Sequence, residues 1–275
     1  MTSALGAEIK CANLTAVDTN TLEEIHRAWL MYQVIYFRKQ TLTPQEHLAF
    51  AKLWGQIHIH PFNAPMKGHP EILQLLKKEG AEHNNGNLWH SDQMYTPEPA
   101  KATILIAREM PKFGGDTLFT NQYMAYTTLS NGMKNLLAGL KGVNDGNNRK
   151  NFRGKTRSEL QQLGQATTPQ KTPDKYTQTV TVHPLIRTHP ETGQKSLYIG
   201  AHTVRFDGMT EAESAPLLNY LMLHSTKPEF CCRLRWEVGT LTMWDNRCCQ
   251  HYALNDYQGS RRCVHKITVK GDKPF

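Results

Sequence analysis

Helical periodicity is scarce in this chain, and that scarcity decides most of what it can fold into. Only three segments carry a clear helix signature. Leu22, Ile25, Ala28, Trp29 and Tyr32 repeat at helical spacing. Thr43-Pro44-Gln45-Glu46 is a capping box with proline at the first helical position, and predicts a helix to about Trp54. Thr210-Glu211-Ala212-Glu213 opens a third helix with Leu217, Leu218, Leu221 and Met222 on one face. Strand patterns dominate elsewhere. Residues 34–37 and 103–107 are apolar runs of strand length. Phe230, Cys232, Leu234 and Trp236 alternate with Cys231, Arg233 and Arg235, the period of a half-buried strand. After the turn residues Glu237-Val238-Gly239, segments 241–244 and 263–269 continue the pattern. Many strands with few peripheral helices predict a mostly β fold with a jelly-roll core.

A chain of 275 residues can bury one large core and needs no second one, so a single domain over 1–275 is expected. Segment 144–176 is polar, lacks a period and is too short for a domain, so it reads as a lid or excursion over the core. No apolar run approaches the roughly 18 residues of a membrane span, and the start MTSALGAEIK has no basic-then-apolar leader pattern, so a cytoplasmic protein is expected. Six cysteines, four of them in vicinal pairs and none in a C-x2-C spacing, suit reduced, buried thiols better than disulfides or structural zinc. The net charge of +8 allows nucleic acid or small anions as partners. The basic residues are dispersed and no nucleic-acid-binding signature accompanies them, which favours small anions. The expected partners are thus a small anionic substrate and further copies of the chain, with neither nucleic acid nor membrane.

The informative local sequence is Leu88-Trp89-His90-Ser91-Asp92. In extended backbone, residues i and i+2 point to one side, so His90 and Asp92 can reach one ion. Far along the chain, Trp244-Asp245-Asn246-Arg247 and the following turn lead to His251 as a third ligand. Two histidines and one carboxylate leave three positions of octahedral iron open, two for a keto acid and one for O2. A keto diacid then needs a cation for its far carboxylate. Arg262 lies 11 residues beyond His251, and its guanidinium suits bidentate carboxylate binding. Thr117, in Gly114-Gly115-Asp116-Thr117, offers a hydroxyl beside it.

At these residues the chain resembles the taurine dioxygenase family, which also holds aryloxyalkanoate and alkyl-sulfate dioxygenases. The likeness continues through Val34-Ile35-Tyr36-Phe37-Arg38, Trp54-Gly55, Ile57-His58-Ile59-His60-Pro61 and Gly114-Gly115-Asp116-Thr117-Leu118-Phe119-Thr120. It includes His183-Pro184-Leu185-Ile186-Arg187-Thr188-His189-Pro190, Gln250-His251-Tyr252-Ala253, Arg261-Arg262 and Gly271-Asp272-Lys273-Pro274-Phe275. The resemblance implies a double-stranded β-helix, Fe(II) on His90, Asp92 and His251, and 2-oxoglutarate on Arg262 and Thr117. O2 is the second co-substrate, and succinate and CO2 are the co-products.

The resemblance also implies a clamp for a substrate anion at His60 and Lys266. Lys266 stands where taurine dioxygenases carry arginine, and shares strand parity with Arg262. Asn63 and Gln93 bring hydrogen-bonding side chains to positions that are aromatic and apolar in the taurine pattern, and Phe152 aligns with an aromatic wall residue. The leading expectation is oxidation of a C–H bond in a taurine-like sulfonate or related acid. Desaturation or ring closure of an amino acid or carboxylate by the same chemistry stays open, as does a metal-binding jelly roll without catalysis.

Overall fold

The computed structural model describes residues 1–10, 13–148, 154–163 and 179–275. In chain order its strands are β1 (Ala7–Glu8), β2 (Val34–Phe37), β3 (Leu73–Lys77), β4 (Ala100–Glu109), β5 (Thr117–Asn121), β6 (Lys141–Asp145) and β7 (Val180–Pro184). They continue as β8 (Ile186–Thr188), β9 (Lys195–Leu197), β10 (Thr203–Phe206), β11 (Cys231–Leu234), β12 (Leu241–Asp245), β13 (Cys249–Ala253) and β14 (Arg262–Lys270). The helices are α1 (Thr19–Tyr32), α2 (Pro44–Lys52), α3 (Gln122–Thr127), α4 (Asn131–Leu137), α5 (Arg157–Gln162) and α6 (Glu211–Ser225).

Six strands form the main sheet in the order β1-β2-β12-β4-β14-β3, with β1–β2 parallel and the other pairings antiparallel. A three-stranded antiparallel sheet, β11-β5-β13, lies against it. Strand alternation sorts the side chains between two faces. Ala102, Ile104 and Ile106 of β4 and Ile267 and Val269 of β14 join Ile25, Trp29 and Phe50, so α1 and α2 cover the outer face. The intervening residues Leu105, Ala107 and Val264 join Phe119 of β5, Leu234 of β11 and Cys249 of β13, so the two sheets pack face to face. That inter-sheet space receives the odd-numbered residues of β4 and the even-numbered residues of β14. A third cluster sits under α3 and α6 and includes Ala125, Leu197, Phe206, Leu218 and Leu221.

The expected mostly β architecture with peripheral helices is present. Both anticipated capping boxes form: Thr43 and Glu46 exchange side-chain-to-backbone hydrogen bonds at the start of α2, as do Thr210 and Glu213 at α6. α2 stops at Lys52, short of Trp54, because the Leu53 and Trp54 N–H groups turn onto the i−3 carbonyls of Phe50 and Ala51. Two parts of the 144–176 segment have regular secondary structure. Asn144 and Asp145 belong to β6, and α5 is capped by Thr156 and Glu159 in the same reciprocal way. Residues 149–153, Phe152 included, and 164–176 of that segment lie outside the described residues. Cys231, Cys232, Cys248, Cys249 and Cys263 are free thiols. Among the described residues no helix is long and apolar enough to cross a membrane.

Candidate functional site

His90 and His251 face each other across an isolated antiparallel bridge. The N–H of each donates to the carbonyl of the other, at 3.1 Å and 2.8 Å, and their ring centroids lie 4.1 Å apart. Asp92, two residues beyond His90, brings a carboxylate to the same side. Its Oδ1 lies 3.8 Å from His90 Nε2 and 3.9 Å from His251 Nε2. One donor atom from each of the three residues falls within 4.8 Å of the others. The i, i+2 reading and the distant third histidine therefore converge in space.

The donors have the protonation a cation needs. Burial pushes the His90 and His251 imidazoles below their ordinary range, so they are neutral at physiological pH. His90 Nδ1 lies 2.7 Å from the Leu88 carbonyl, which fixes the ring proton on Nδ1 and turns the Nε2 lone pair toward Asp92 and His251. Burial works to raise the Asp92 carboxyl, but the Lys266 ammonium together with the neighbouring His251 and His90 outweighs it, and the group is held far below the usual carboxylate range. The Lys266 Nζ is 2.7 Å from Asp92 Oδ1. Strand parity directs Lys266 to the interior but does not give this partner: the ammonium sits on the carboxylate of the candidate metal group. The other carboxylate oxygen, Oδ2, accepts a 2.6 Å hydrogen bond from Thr103.

Arg262, at the start of β14, enters the same inter-sheet space and is buried. Its Nε donates to the Gly115 carbonyl at 3.2 Å, and its guanidinium lies 5.8 Å from the centre of the Trp236 ring. Among the described residues no carboxylate pairs with it. Burial lowers its pKa from the ordinary arginine value, the sign of a cation short of counter-charge. Gly114 and Gly115 make this approach possible. Both have positive φ, and a Cβ at Gly115 would meet Arg262 Cδ at 3.3 Å. Thr117 Oγ1 accepts from Trp236 Nε1 at 2.9 Å, which directs the hydroxyl proton elsewhere. Trp236 was legible only as an alternating strand residue, and its role in orienting Thr117 was not.

The expected substrate contacts are only partly gathered. His60 Nδ1 accepts the N–H groups of Phe62 and Asn63, both at 3.1 Å, so the imidazole proton resides on Nε2, with the Asn63 amide 3.4 Å away. A sequence of aromatic contacts joins His60 to the ligand group through Phe62, Tyr95 and His202. The His202 ring stands edge-on to His90, with 6.2 Å between centroids. His202 and Tyr95 had no sequence signal beyond being aromatic. Gln93 follows Asp92 in a left-handed conformation (φ 59°), and its buried Oε1 has no hydrogen-bond partner among the described residues. Such strain in a non-glycine residue is sustained by its surroundings and concentrates at functional sites.

A second cluster, His189, Asp245 and Cys248, also has closely spaced donor atoms. Its chemistry is that of an ion network. His189 Nδ1 accepts two backbone N–H groups, so Nε2 carries the proton that meets Asp245 Oδ2 at 3.0 Å. Arg247 takes both Asp245 oxygens, at 2.8 Å and 2.7 Å, and reaches Glu191 at 2.6 Å. Glu191 in turn pairs with His26 of α1 at 2.7 Å. This assigns separate tasks within Trp244-Asp245-Asn246-Arg247: Asp245 and Arg247 tie the β12–β13 turn to α1, while Asn246 points to Asp92.

By geometry alone the two packed sheets of this protein enclose an interior that can hold a cation between two imidazoles and a carboxylate, and that also receives a buried guanidinium suited to an anion. Comparison narrows that class. The family model "Taurine catabolism dioxygenase TauD, TfdA family" matches residues 1–268, and the chain belongs to this family. An alkylsulfatase of Acinetobacter baylyi is 35% identical over 99% of this chain and 84% of its own length. An alpha-ketoglutarate-dependent sulfate ester dioxygenase of Pseudomonas putida is 34% identical over 98% of this chain and 88% of its own. The crystal structure of a taurine dioxygenase from Burkholderia xenovorans superposes with a TM-score of 0.80 at 32% identity, covering 99% of this chain and 89% of that one. A structure of AAD-2 with Mn(II) and N-oxalylglycine does so at 0.79, with 26% identity, over 100% and 96% of the two chains.

Proposed function

We propose that this chain is a 2-oxoglutarate-dependent non-haem iron dioxygenase that oxidises a C–H bond of a small anionic substrate of the sulfate-ester or sulfonate type. The observation that carries this reading is that strand β14 supplies the inter-sheet space both with Lys266, which meets Asp92 of the His90–Asp92–His251 group, and with Arg262, a buried cation without a carboxylate partner among the described residues. In this reading the two packed sheets are the halves of a double-stranded β-helix, and the chain forms one catalytic domain. The substrate class is supported by the sulfate-ester relatives together with Lys266 and the His60 donor.

The donor set fits Fe(II): two neutral imidazoles and one ionised carboxylate are the facial set that leaves coordination positions open. When bound, the iron supplies the activation of O2 that accompanies oxidative loss of CO2 from 2-oxoglutarate. The protein's own residues do the rest. Arg262 and Thr117 bind the distal carboxylate of 2-oxoglutarate and fix its keto-acid end toward the triad. Lys266, a flexible four-carbon stem ending in a point charge, turns from Asp92 to the anionic end of the substrate. His60 donates from Nε2 to the same anion, with Asn63 beside it, while Gln93 lines the remaining wall. Tyr95 and His202 keep that side aromatic and dry.

Oxidation of the carbon bearing a sulfate ester gives a hemiacetal sulfate, which collapses to an aldehyde and inorganic sulfate. The test is a panel of medium-chain alkyl sulfates, alkyl sulfonates, taurine, 2,4-dichlorophenoxyacetate and the uncharged parent alkanols, each scored for O2 uptake and succinate. Sulfate release in step with succinate from an alkyl sulfate is expected. Coupled turnover only with an uncharged substrate would overturn the assigned class.

A further inference from the structure

We infer that Thr103 and Asn246 are positioning residues that hold the Asp92 carboxylate in one rotation and present Oδ1 alone to the metal, an inference that rests on His90, Asp92 and His251 being the ligands. The argument follows the protons. Asn246 Oδ1 accepts from Trp244 Nε1 at 3.1 Å and from the Asp92 backbone N–H at 3.1 Å. Two donors on one side fix which end of the amide is oxygen, so Nδ2 must face Thr103. It donates to Thr103 Oγ1 at 3.0 Å. With that lone pair engaged, the threonine hydroxyl directs its own proton to Asp92 Oδ2, at 2.6 Å.

Every member of this relay is buried, with Thr103 and Asn246 fully so, and each donor meets an acceptor. In a dry interior the sequence of donors has one consistent direction, because reversing any member would leave a buried donor facing a donor. Register explains how the parts meet. Thr103 of β4 lies directly across from Trp244 of β12, and Asn246 follows that strand by one residue. Oδ2 is thereby occupied from the sheet side, while Oδ1, which carries the Lys266 contact at 2.7 Å, is the oxygen near both imidazoles. A carboxylate free to rotate could chelate through both oxygens and use up one of the positions that co-substrates need. The relay prevents this.

The measurement is Mn(II) affinity of the full chain, followed by the electron paramagnetic resonance signal of the free ion. Thr103→Val keeps the shape and deletes the hydroxyl, and should weaken Mn(II) binding about 10- to 100-fold, the range for losing an outer-shell partner of a metal ligand. Thr103→Ser should restore wild-type affinity. Thr103→Cys, which keeps a small polar group but only a weak donor, should fall between them and guards against a valine variant that fails to fold. His251→Ala serves as the control on the ligands themselves. If His251→Ala abolishes binding while Thr103→Val and Thr103→Cys bind as the wild type does, the relay has no positioning role. If His251→Ala binds normally, the ligand assignment itself is wrong.

Discussion

Replacing Arg262 by alanine tests the co-substrate site with a magnitude that can be worked from the structure. The side chain is buried at 8% exposure, its Nε is engaged by the Gly115 carbonyl, and no carboxylate among the described residues neutralises it. A bound distal carboxylate is therefore the principal counter-charge of this guanidinium, and truncation leaves that carboxylate in a site with little water. Removing one partner of such a buried pair costs about 2–5 kcal/mol. Thr117 keeps its hydroxyl and Trp236 still orients it, so part of the hydrogen bonding survives and the lower half of that range applies. A loss of about 3 kcal/mol corresponds to a weakening of roughly 150-fold. The assay is the KM for 2-oxoglutarate in the decarboxylation reaction, paired with the Kd of N-oxalylglycine by calorimetry. Arg262→Lys should recover only part of the loss, because a point charge replaces a planar fork. The neighbouring Arg261, more exposed and paired with Glu109 at the surface, is the control whose alanine variant should change neither value. A shift of less than about threefold in both quantities for Arg262→Ala would refute the assignment.

Lys266→Ala should raise the KM for the primary substrate at least tenfold while leaving that for 2-oxoglutarate within twofold, since the ammonium and Arg262 serve different anions. An unchanged substrate KM would confine Lys266 to its contact with Asp92. His47, fully buried on α2, gives a pH prediction: burial and the nearby Arg108 charge depress its imidazole from 6.5 to about 3. The unfolded chain binds this proton below pH 6.5 and the native chain does not, so stability is lost as pH falls from 6.5 toward 3, at up to about 1.4 kcal/mol per pH unit. The stability of wild type minus that of His47→Leu, from denaturant titrations between pH 7 and 4, should therefore shift steadily in favour of the leucine variant as the pH drops, and a constant difference would contradict the burial argument.

What the chain revealed in advance follows from which contacts are local. The Thr43 and Thr210 caps, the strand alternation around Cys232, and the i, i+2 placement of His90 and Asp92 depend on near neighbours, so their residue types carry the signal. Lys266 shows the limit: parity along β14 directs it inward, but its meeting with Asp92, 174 residues away, depends on how β14 is registered against β4. Thr103 was legible only as the first residue of an apolar run. Its function needs Trp244 across the strand pair and Asn246 beyond, a combination that exists only once β12 and β4 are paired. α3 and α4, seven residues or fewer, were missed because they are too short to display a repeat, although Asn121 and Ser130 cap them. His202 lies beside His90 through loop geometry that has no periodic signature.

The central claim is that His90, Asp92 and His251 bind iron for 2-oxoglutarate chemistry, and release of CO2 from carboxyl-labelled 2-oxoglutarate tests it most directly. The wild-type chain with Fe(II), O2 and 2-oxoglutarate should release CO2 and form succinate in equal amounts, slowly alone and faster with a substrate. His251→Ala, checked by circular dichroism to retain the fold, should release none above the protein-free rate. CO2 release at the wild-type rate by His251→Ala would contradict the account, as would a folded, iron-loaded wild-type chain that never decarboxylates 2-oxoglutarate.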